Sequence, residues 1–209
     1  MLLRVRVSLP DRPGALGAVT RTLGAGGADI LQVTVLESVA GRALDEFTVS
    51  VANSAVRGRV SAGLEAAPGV RIEGIWETVE PPGAFPDLGV LSQVATNPSR
   101  GLATLVDAAP ALFSAEWAAL VETDPEPRVT TASWQAPDDM VLPELTPLRP
   151  RILSVPGGPH LAVTPFDGTS TALLVARVEA PPFHDVELTR LTVLADIVGA
   201  IVGRAVVSG

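Results

Sequence analysis

The residues best placed for chemistry lie where a first predicted strand ends and a helix begins, at Pro10-Asp11-Arg12-Pro13-Gly14. Pro13 fits the first position of a helix, where its missing N–H costs nothing. Gly14 leaves the backbone bare, so free N–H groups of the first helical turn can meet a small anion. Asp11 adds a carboxylate just before them. A carboxylate beside such donors suits a zwitterion, so the segment predicts a sensor of small amino acids.

The elements around this loop follow from the spacing of apolar residues. Alternation with period two predicts strands, and repeats at three and four residues predict helices. The first helix follows the loop, the glycines at 24, 26 and 27 are expected to stop it, and Asn53 or Ser54 can cap the second. The predicted strands are residues 3–9, 30–39, 43–51 and 70–76.

The resulting order is β-α-β-β-α-β, which predicts an α+β ferredoxin-like sandwich. Two helices are expected to cover one face of an antiparallel sheet. The other face and the edges of that sheet remain open, and they invite a second copy to pair there.

Residues 3–79 resemble an ACT domain, a small regulatory module that binds amino acids. The resemblance rests on Leu9-Pro10-Asp11-Arg12-Pro13-Gly14-Ala15-Leu16 and on Ala28-Asp29-Ile30-Leu31-Gln32. It implies a ligand bound where the first loop meets the second strand of a neighbouring copy. Asp11 would hold the ammonium group. The backbone N–H groups near Gly14, Ala15 and Leu16 would hold the ligand carboxylate. Ile30 and Gln32 would shape the side-chain pocket, and Pro13 is the remaining expected ligand-binding residue.

Two other interpretations of the loop remain open. Asp11 could cap the first helix, with Pro13 and Gly14 only starting it. Some ACT-like domains bind nothing and only dimerise. In that case substitution of Asp11 would change stability but no response to a ligand.

Composition changes near residue 80. Residues 1–79 hold eight Arg and eight Asp or Glu, whereas residues 80–209 hold seven Arg and fifteen Asp or Glu. Only three of the nineteen prolines lie in the first part. Such a shift predicts a domain boundary, so we expect an ACT-like domain over 1–79, a linker over 80–87 and a second domain over 88–209.

Composition also narrows the classes of function. Net charge is −8 without a basic run, which argues against nucleic-acid binding. There is no Lys, so Schiff-base and phosphate-loop lysines are excluded, and no Cys, so disulfides and thiol chemistry are excluded. Met1-Leu2-Leu3-Arg4 reaches a charge too early for a signal peptide. The apolar segment 191–203 is too short for a membrane span, so we expect a cytoplasmic protein.

The second part alternates between helical and strand patterns. Residues 88–95, 101–112 and 185–207 look helical, residues 137–150 look like a loop, and the predicted strands are 115–122, 129–136, 151–155, 160–165 and 169–178. The segment 168–177, then Pro181-Pro182-Phe183 and the following helix, resembles the end of a GAF domain. The resemblance implies an antiparallel sheet flanked by helices, in a degenerate domain that serves ligand binding or dimerisation.

No catalytic or metal constellation stands out. His184, Asp185 and Glu187 diverge at a helix start, where the two acids are expected to favour the positive helix end. His160 is expected at the surface. Trp117 and Trp134 are each expected in the core.

The sequence therefore predicts a regulatory protein without enzymatic activity, cofactor or metal. Its partners would be a small amino acid and a second copy of the chain in a homodimer, with an unknown protein partner possible. The alternatives are a ligand-free dimerisation or interaction module, and an enzyme with an unrecognised site in the second part.

Overall fold

The computed structural model describes residues 1–79, 81, 83 and 85–207, with the side chains of 205–207 left aside. The chain divides into two compact units, Met1–Ala84 and Phe85–Gly209. Residues 80, 82 and 84 of the predicted linker, and residues 208–209 of the predicted second domain, lie outside the described residues. No helix among the described residues is long and apolar enough to cross a membrane.

The first unit is a ferredoxin-like sandwich, as the order of predicted elements indicates. Its antiparallel sheet has the order β2-β3-β1-β4. The elements are β1 (Leu2–Pro10), α1 (Ala15–Gly26), β2 (Asp29–Val39), β3 (Arg42–Ser50), α2 (Ser54–Glu65) and β4 (Arg71–Glu77).

One face of this sheet carries the core. Alternate residues of β1 and β3 pack against one side of each helix, which is the arrangement that their two periodicities require. The side chains that meet there include Val5, Val7, Val19, Leu23, Phe47, Val60 and Leu64. Asn53 caps α2, since its side chain accepts a hydrogen bond from the N–H of Val56 at 3.1 Å.

The sequence predicts that three glycines together stop α1, but only Gly27 lies beyond its end. Gly27 has φ 93° and closes the helix through hydrogen bonds to the carbonyls of Gly24 and Leu23. Gly24 and Gly26 lie inside the helix. A Cβ at Gly26 would stand 3.0 Å from Cγ2 of Val60, so this glycine allows α1 and α2 to approach closely.

The opposite face of the same sheet carries an ion-pair cluster. The Glu46 carboxylate accepts hydrogen bonds from Arg4 at 2.8 Å and from Arg6 at 2.6 Å. The Arg6 guanidinium lies 5.2 Å from the ring centroid of Trp76. Because Glu46 points to this face, its neighbour in β3, Asp45, points to the face that the helices cover.

The second unit is a GAF-like antiparallel sheet flanked by helices. Its sheet has the order β6-β5-β9-β8-β7, and the predicted antiparallel sheet flanked by helices is confirmed. The elements are α3 (Pro86–Thr96), α4 (Gly101–Leu112) after a short 3₁₀ turn, β5 (Trp117–Glu122), β6 (Arg128–Ala132), β7 (Arg151–Ser154), β8 (His160–Pro165), β9 (Thr171–Arg177) and α5 (Asp185–Val207).

Both faces of the second sheet are covered. The helices pack on one face, where a large cluster includes Val94, Leu105, Leu191 and Val198. On the other face, the proline-rich loop 137–150 packs Met140, Leu142, Leu145 and Leu148 against the strands. Arg151 holds this loop in place, donating to the carbonyls of Pro147 at 3.0 Å and Glu144 at 2.8 Å.

A buried ion pair fixes the start of α5. Arg177 is fully buried and donates to Glu187 at 2.5 and 3.3 Å, and to the carbonyl of Phe113. Its guanidinium lies 4.0 Å from the ring centroid of Phe183. Glu187 also accepts from the N–H of His184 at 2.8 Å. Glu187 therefore caps the helix and pairs a buried cation, beyond the dipole role that the sequence predicts.

The prediction for Trp134 is wrong. The strand expected to run to residue 136 ends at Ala132, and a turn closes with the N–H of Ala136 on the carbonyl of Ser133 at 3.0 Å. This turn places Trp134 outward, 88% exposed, whereas Trp117 is buried as expected.

Candidate functional site

The candidate site begins where β1 leaves the sheet. The N–H of Asp11 donates to the carbonyl of Gly41 at 2.9 Å, which extends the pairing of β1 with β3 by one residue. The N–H of Arg12 then turns back to the carbonyl of Pro10 at 3.0 Å. The chain therefore leaves the sheet in a tight turn that faces the first residues of α1.

Pro13 is not the first residue of α1, contrary to the prediction. The helix begins at Ala15, and Gly14 is its N-cap with φ 87°. The left-handed conformation of Gly14 favours glycine, because it lacks the Cβ that would be strained there. Pro13 lies in the turn, one residue before the N-cap.

The first turn of α1 leaves fewer free donors than the sequence predicts. The N–H of Ala15 is already used, since it donates to the carbonyl of Arg12 at 3.2 Å. The N–H of Ala18 begins the regular helical bonding with the carbonyl of Gly14 at 3.1 Å. Within the described part of the chain, the N–H groups of Leu16 and Gly17 have no acceptor. The donors open to an anion are therefore those of Leu16 and Gly17.

Asp11 does not cap the helix. The N-cap of α1 has no side-chain hydrogen bond, and Oδ2 of Asp11 instead accepts from the hydroxyl of Ser38 at 2.5 Å. Ser38 lies near the end of β2. This bond ties the loop to the edge strand and fixes the exposed Asp11 carboxylate beside it.

Ile30 and Gln32 do not share a face. Ile30 lies opposite Val49, whereas Gln32 lies opposite Thr48, the adjacent residue of β3. The register shift skips Leu31 and reverses the alternation beyond it. Ile30 packs against the helix-side core, and the exposed Gln32 lies on the other face, where its amide meets Thr34 at 3.3 Å. The structure therefore separates two residues that the resemblance assigns to one pocket.

Strand β2 is an exposed edge with several apolar side chains. It pairs with β3 on one side only. Val33 and Val35 lie on the helix-covered face, opposite Phe47 and Asp45, yet they are 39% and 59% exposed. Leu16 of α1 is 39% exposed. The helix therefore covers β2 only in part, and we call this partly covered strip of the sheet face between α1 and β2 the cleft.

Sequence reasoning missed the carboxylate at the floor of this cleft. Asp45 lies opposite Val7 on one side and Val35 on the other. It is only 2% exposed, and its Oδ1 has no hydrogen-bond partner among the described residues. Burial, and then the negative charge of Asp11, raise the pKa of Asp45 above its ordinary value. The sequence could have predicted this buried carboxylate, because the alternation of residues in β3 places Asp45 on the same face as Phe47.

The arrangement suits reversible binding of a small charged molecule. The loop offers one fixed carboxylate, the helix start offers N–H donors, and the cleft between them holds a second carboxylate within reach of the charge of the first. Among the described residues, no group of three or more His, Asp or Glu is placed to hold a metal ion.

Comparisons with known proteins leave the family open. No protein-family model matches the chain, and no curated protein matches it.

Three solved structures are similar to the chain at low TM-scores. A formyltetrahydrofolate deformylase from Pseudomonas putida KT2440 is 14% identical over 46% of this chain and 39% of its own, with a TM-score of 0.30. An unknown protein from Galdieria sulphuraria is 14% identical over 97% and 93%, also with 0.30. A protein assigned as a glycine cleavage system transcriptional repressor is 12% identical over 90% and 86%, with 0.35. The chain spans well under half the length of the deformylase.

Proposed function

We propose that the protein is a non-catalytic regulator that binds a small amino acid between the first units of two copies. The observation that carries this proposal is the pairing of a fixed carboxylate with an open helix start. Asp11 is held beside β2 by Ser38, and the N–H groups of Leu16 and Gly17 are free in the described part of the chain.

A free amino acid carries one charge of each sign, and this site offers a partner for each. The Asp11 carboxylate accepts from the ammonium group, in a charge-assisted hydrogen bond. The first turn of α1 donates to the ligand carboxylate, which the positive end of the helix also favours. Gly14 has no side chain to obstruct this approach.

A second copy would complete the site at β2. An unpaired edge strand presents N–H and C=O groups ready for pairing, and the exposed Val33 and Val35 beside them favour a protein cover over water. Two copies paired through β2 would enclose the clefts beside α1. A ligand bound there would stabilise the paired arrangement, which supplies the differential affinity that regulation requires. The GAF-like unit would transmit or stabilise this response.

A ligand-free dimerisation module is the second candidate. The exposed apolar edge of β2 favours it by itself, because this edge would drive pairing whether or not a ligand binds. Under this alternative Asp11 only ties the loop to Ser38, and no amino acid changes the stability of the protein.

Thermal denaturation of the full chain with each of the twenty amino acids at millimolar concentration tests the proposal. A ligand at about 100 times its Kd adds roughly 2.7 kcal/mol to the free energy of unfolding, so at least one amino acid should raise Tm measurably. Asp11→Asn should abolish that shift. Glu73→Gln, at an exposed carboxylate of β4 on the opposite edge of the sheet, is the matched control and should retain it. No shift with any amino acid would favour the dimerisation module.

A further inference from the structure

Asp45 is a buried carboxylate with one oxygen that the described residues leave without a hydrogen bond. It lies on the central strand β3, on the helix-covered face, between the apolar Val7 and Val35. A buried polar group without a hydrogen bond is costly. Its Oδ1 nevertheless has none among the described residues, although an apolar side chain would fit the neighbouring core. The unfavourable burial of Asp45 therefore indicates a functional role for its side chain.

The position of Asp45 relative to Asp11 indicates that role. Ser38, which holds the Asp11 carboxylate, lies opposite Ala43, two residues before Asp45 in β3. At about 3.4 Å per residue, roughly 7 Å of strand separates these two positions on the same face of the sheet. One small amino acid can span this distance with hydrogen bonds of about 2.9 Å from its ammonium group and its side chain.

The cleft is open where Asp45 needs a partner. Val35, directly opposite Asp45, is 59% exposed, whereas Val7 on its other side is fully buried. The cover provided by α1 therefore ends between β3 and β2. A small molecule that displaces part of this cover beside Val35 would reach the Asp45 carboxylate from the β2 side.

We propose that Asp45 selects the side chain of the bound amino acid, so that the site prefers a short side chain that donates a hydrogen bond over an apolar one of the same shape. This inference rests on the proposed function, in which Asp11 holds the ammonium group. With the ammonium at Asp11, the ligand side chain points down the cleft. A serine or threonine hydroxyl then donates to Oδ1 of Asp45, while an apolar side chain leaves that oxygen unpaired.

Equilibrium binding of threonine and valine to the full chain tests the proposal, because the two ligands have nearly the same shape. A hydrogen bond to a charged group corresponds to about tenfold or more in affinity, so threonine should bind at least about tenfold more tightly than valine. Serine should exceed alanine in the same way. In Asp45→Leu, which removes the acceptor and suits the apolar surroundings, this preference should disappear.

Two further variants separate the possible failures. Asp45→Asn keeps a weaker acceptor of the same shape, so it should retain part of the preference for threonine. This result would show that the effect of Asp45→Leu comes from the lost acceptor and not from a disturbed cleft. Glu73→Gln, on the opposite edge of the sheet, should leave the preference unchanged. Equal binding of threonine and valine to the wild-type protein would overturn the role of Asp45 while the proposed function stands. Binding of no amino acid at all would overturn both.

Discussion

Removal of the charge on Glu187 tests how much the buried Arg177–Glu187 ion pair stabilises the second unit. Arg177 is fully buried and makes its ion pair with this carboxylate. Removing one partner of a buried pair leaves an uncompensated charge and costs about 3–5 kcal/mol. Glu187→Gln retains an amide oxygen that still accepts, so we expect the lower end, about 3 kcal/mol. The weaker cap on the N–H of His184 acts in the same direction.

The expected cost corresponds to a large change in Tm. For a unit of this size, 1 kcal/mol shifts Tm by about 4 °C, so Glu187→Gln should lower the transition of the second unit by roughly 12 °C in differential scanning calorimetry. Glu122→Gln is the matched control. Glu122 pairs with Arg128 at the surface, where both side chains are partly exposed, and such pairs contribute less than about 1 kcal/mol.

The difference in Tm between the two glutamate variants shows whether the Arg177–Glu187 pair stabilises α5 against the sheet. If Glu187→Gln lowers Tm no more than Glu122→Gln, the Arg177 pair does not hold α5 against the sheet. A double-mutant cycle with Arg177→Met then isolates the pair, since a coupled pair shows an interaction energy that separate sites lack.

The remaining predictions concern the first unit and the two tryptophans. Asp45→Asn should raise the free energy of unfolding at neutral pH. The pKa of Asp45 is raised in the folded state, so the folded protein binds more protons than the unfolded chain. The free energy of unfolding of the wild type therefore falls as pH rises from the unfolded pKa through the folded pKa. Denaturant titrations at several pH values should show that the stability advantage of Asp45→Asn shrinks at acidic pH. Gly14→Ala should cost about 1 kcal/mol at φ 87°, measured by chemical denaturation. Trp134→Ala should change Tm by little, whereas Trp117→Ala, at a buried side chain, should cost about 3–5 kcal/mol.

Element types and their order along the chain followed from local patterns, because each strand or helix that buries one face shows it in the spacing of its apolar residues. α5 was expected over residues 185–207 and spans Asp185–Val207, since its apolar repeat extends over six turns. Register was not predictable in the same way. The bulge at Leu31 changes which face each later residue of β2 occupies, and it depends on pairing with β3 that no local pattern reports.

For the loop residues too, the sequence predicted local features but not the contacts that form only in the folded chain. The sequence marked Asp11 and Gly14 because a carboxylate and a bare backbone stand just before the N–H donors of a helix start. It did not reveal that Asp11 bonds to Ser38, 27 residues away in the chain. It also assigned the helix start to Pro13, since a proline fits that position as well as the turn before it.

Asp45 and Arg177 are both buried charged residues, but the fold treats them in opposite ways. Arg177 is surrounded by acceptors, with Glu187 and the carbonyl of Phe113 in contact, so its burial is explained by the interior of its own unit. Asp45 has an oxygen with no partner among the described residues, and the negative charge of Asp11 adds to burial in raising its pKa. A natural sequence breaks such a local rule chiefly where function requires it. The unsatisfied carboxylate therefore points to a donor from outside the unit, which the cleft beside β2 can admit.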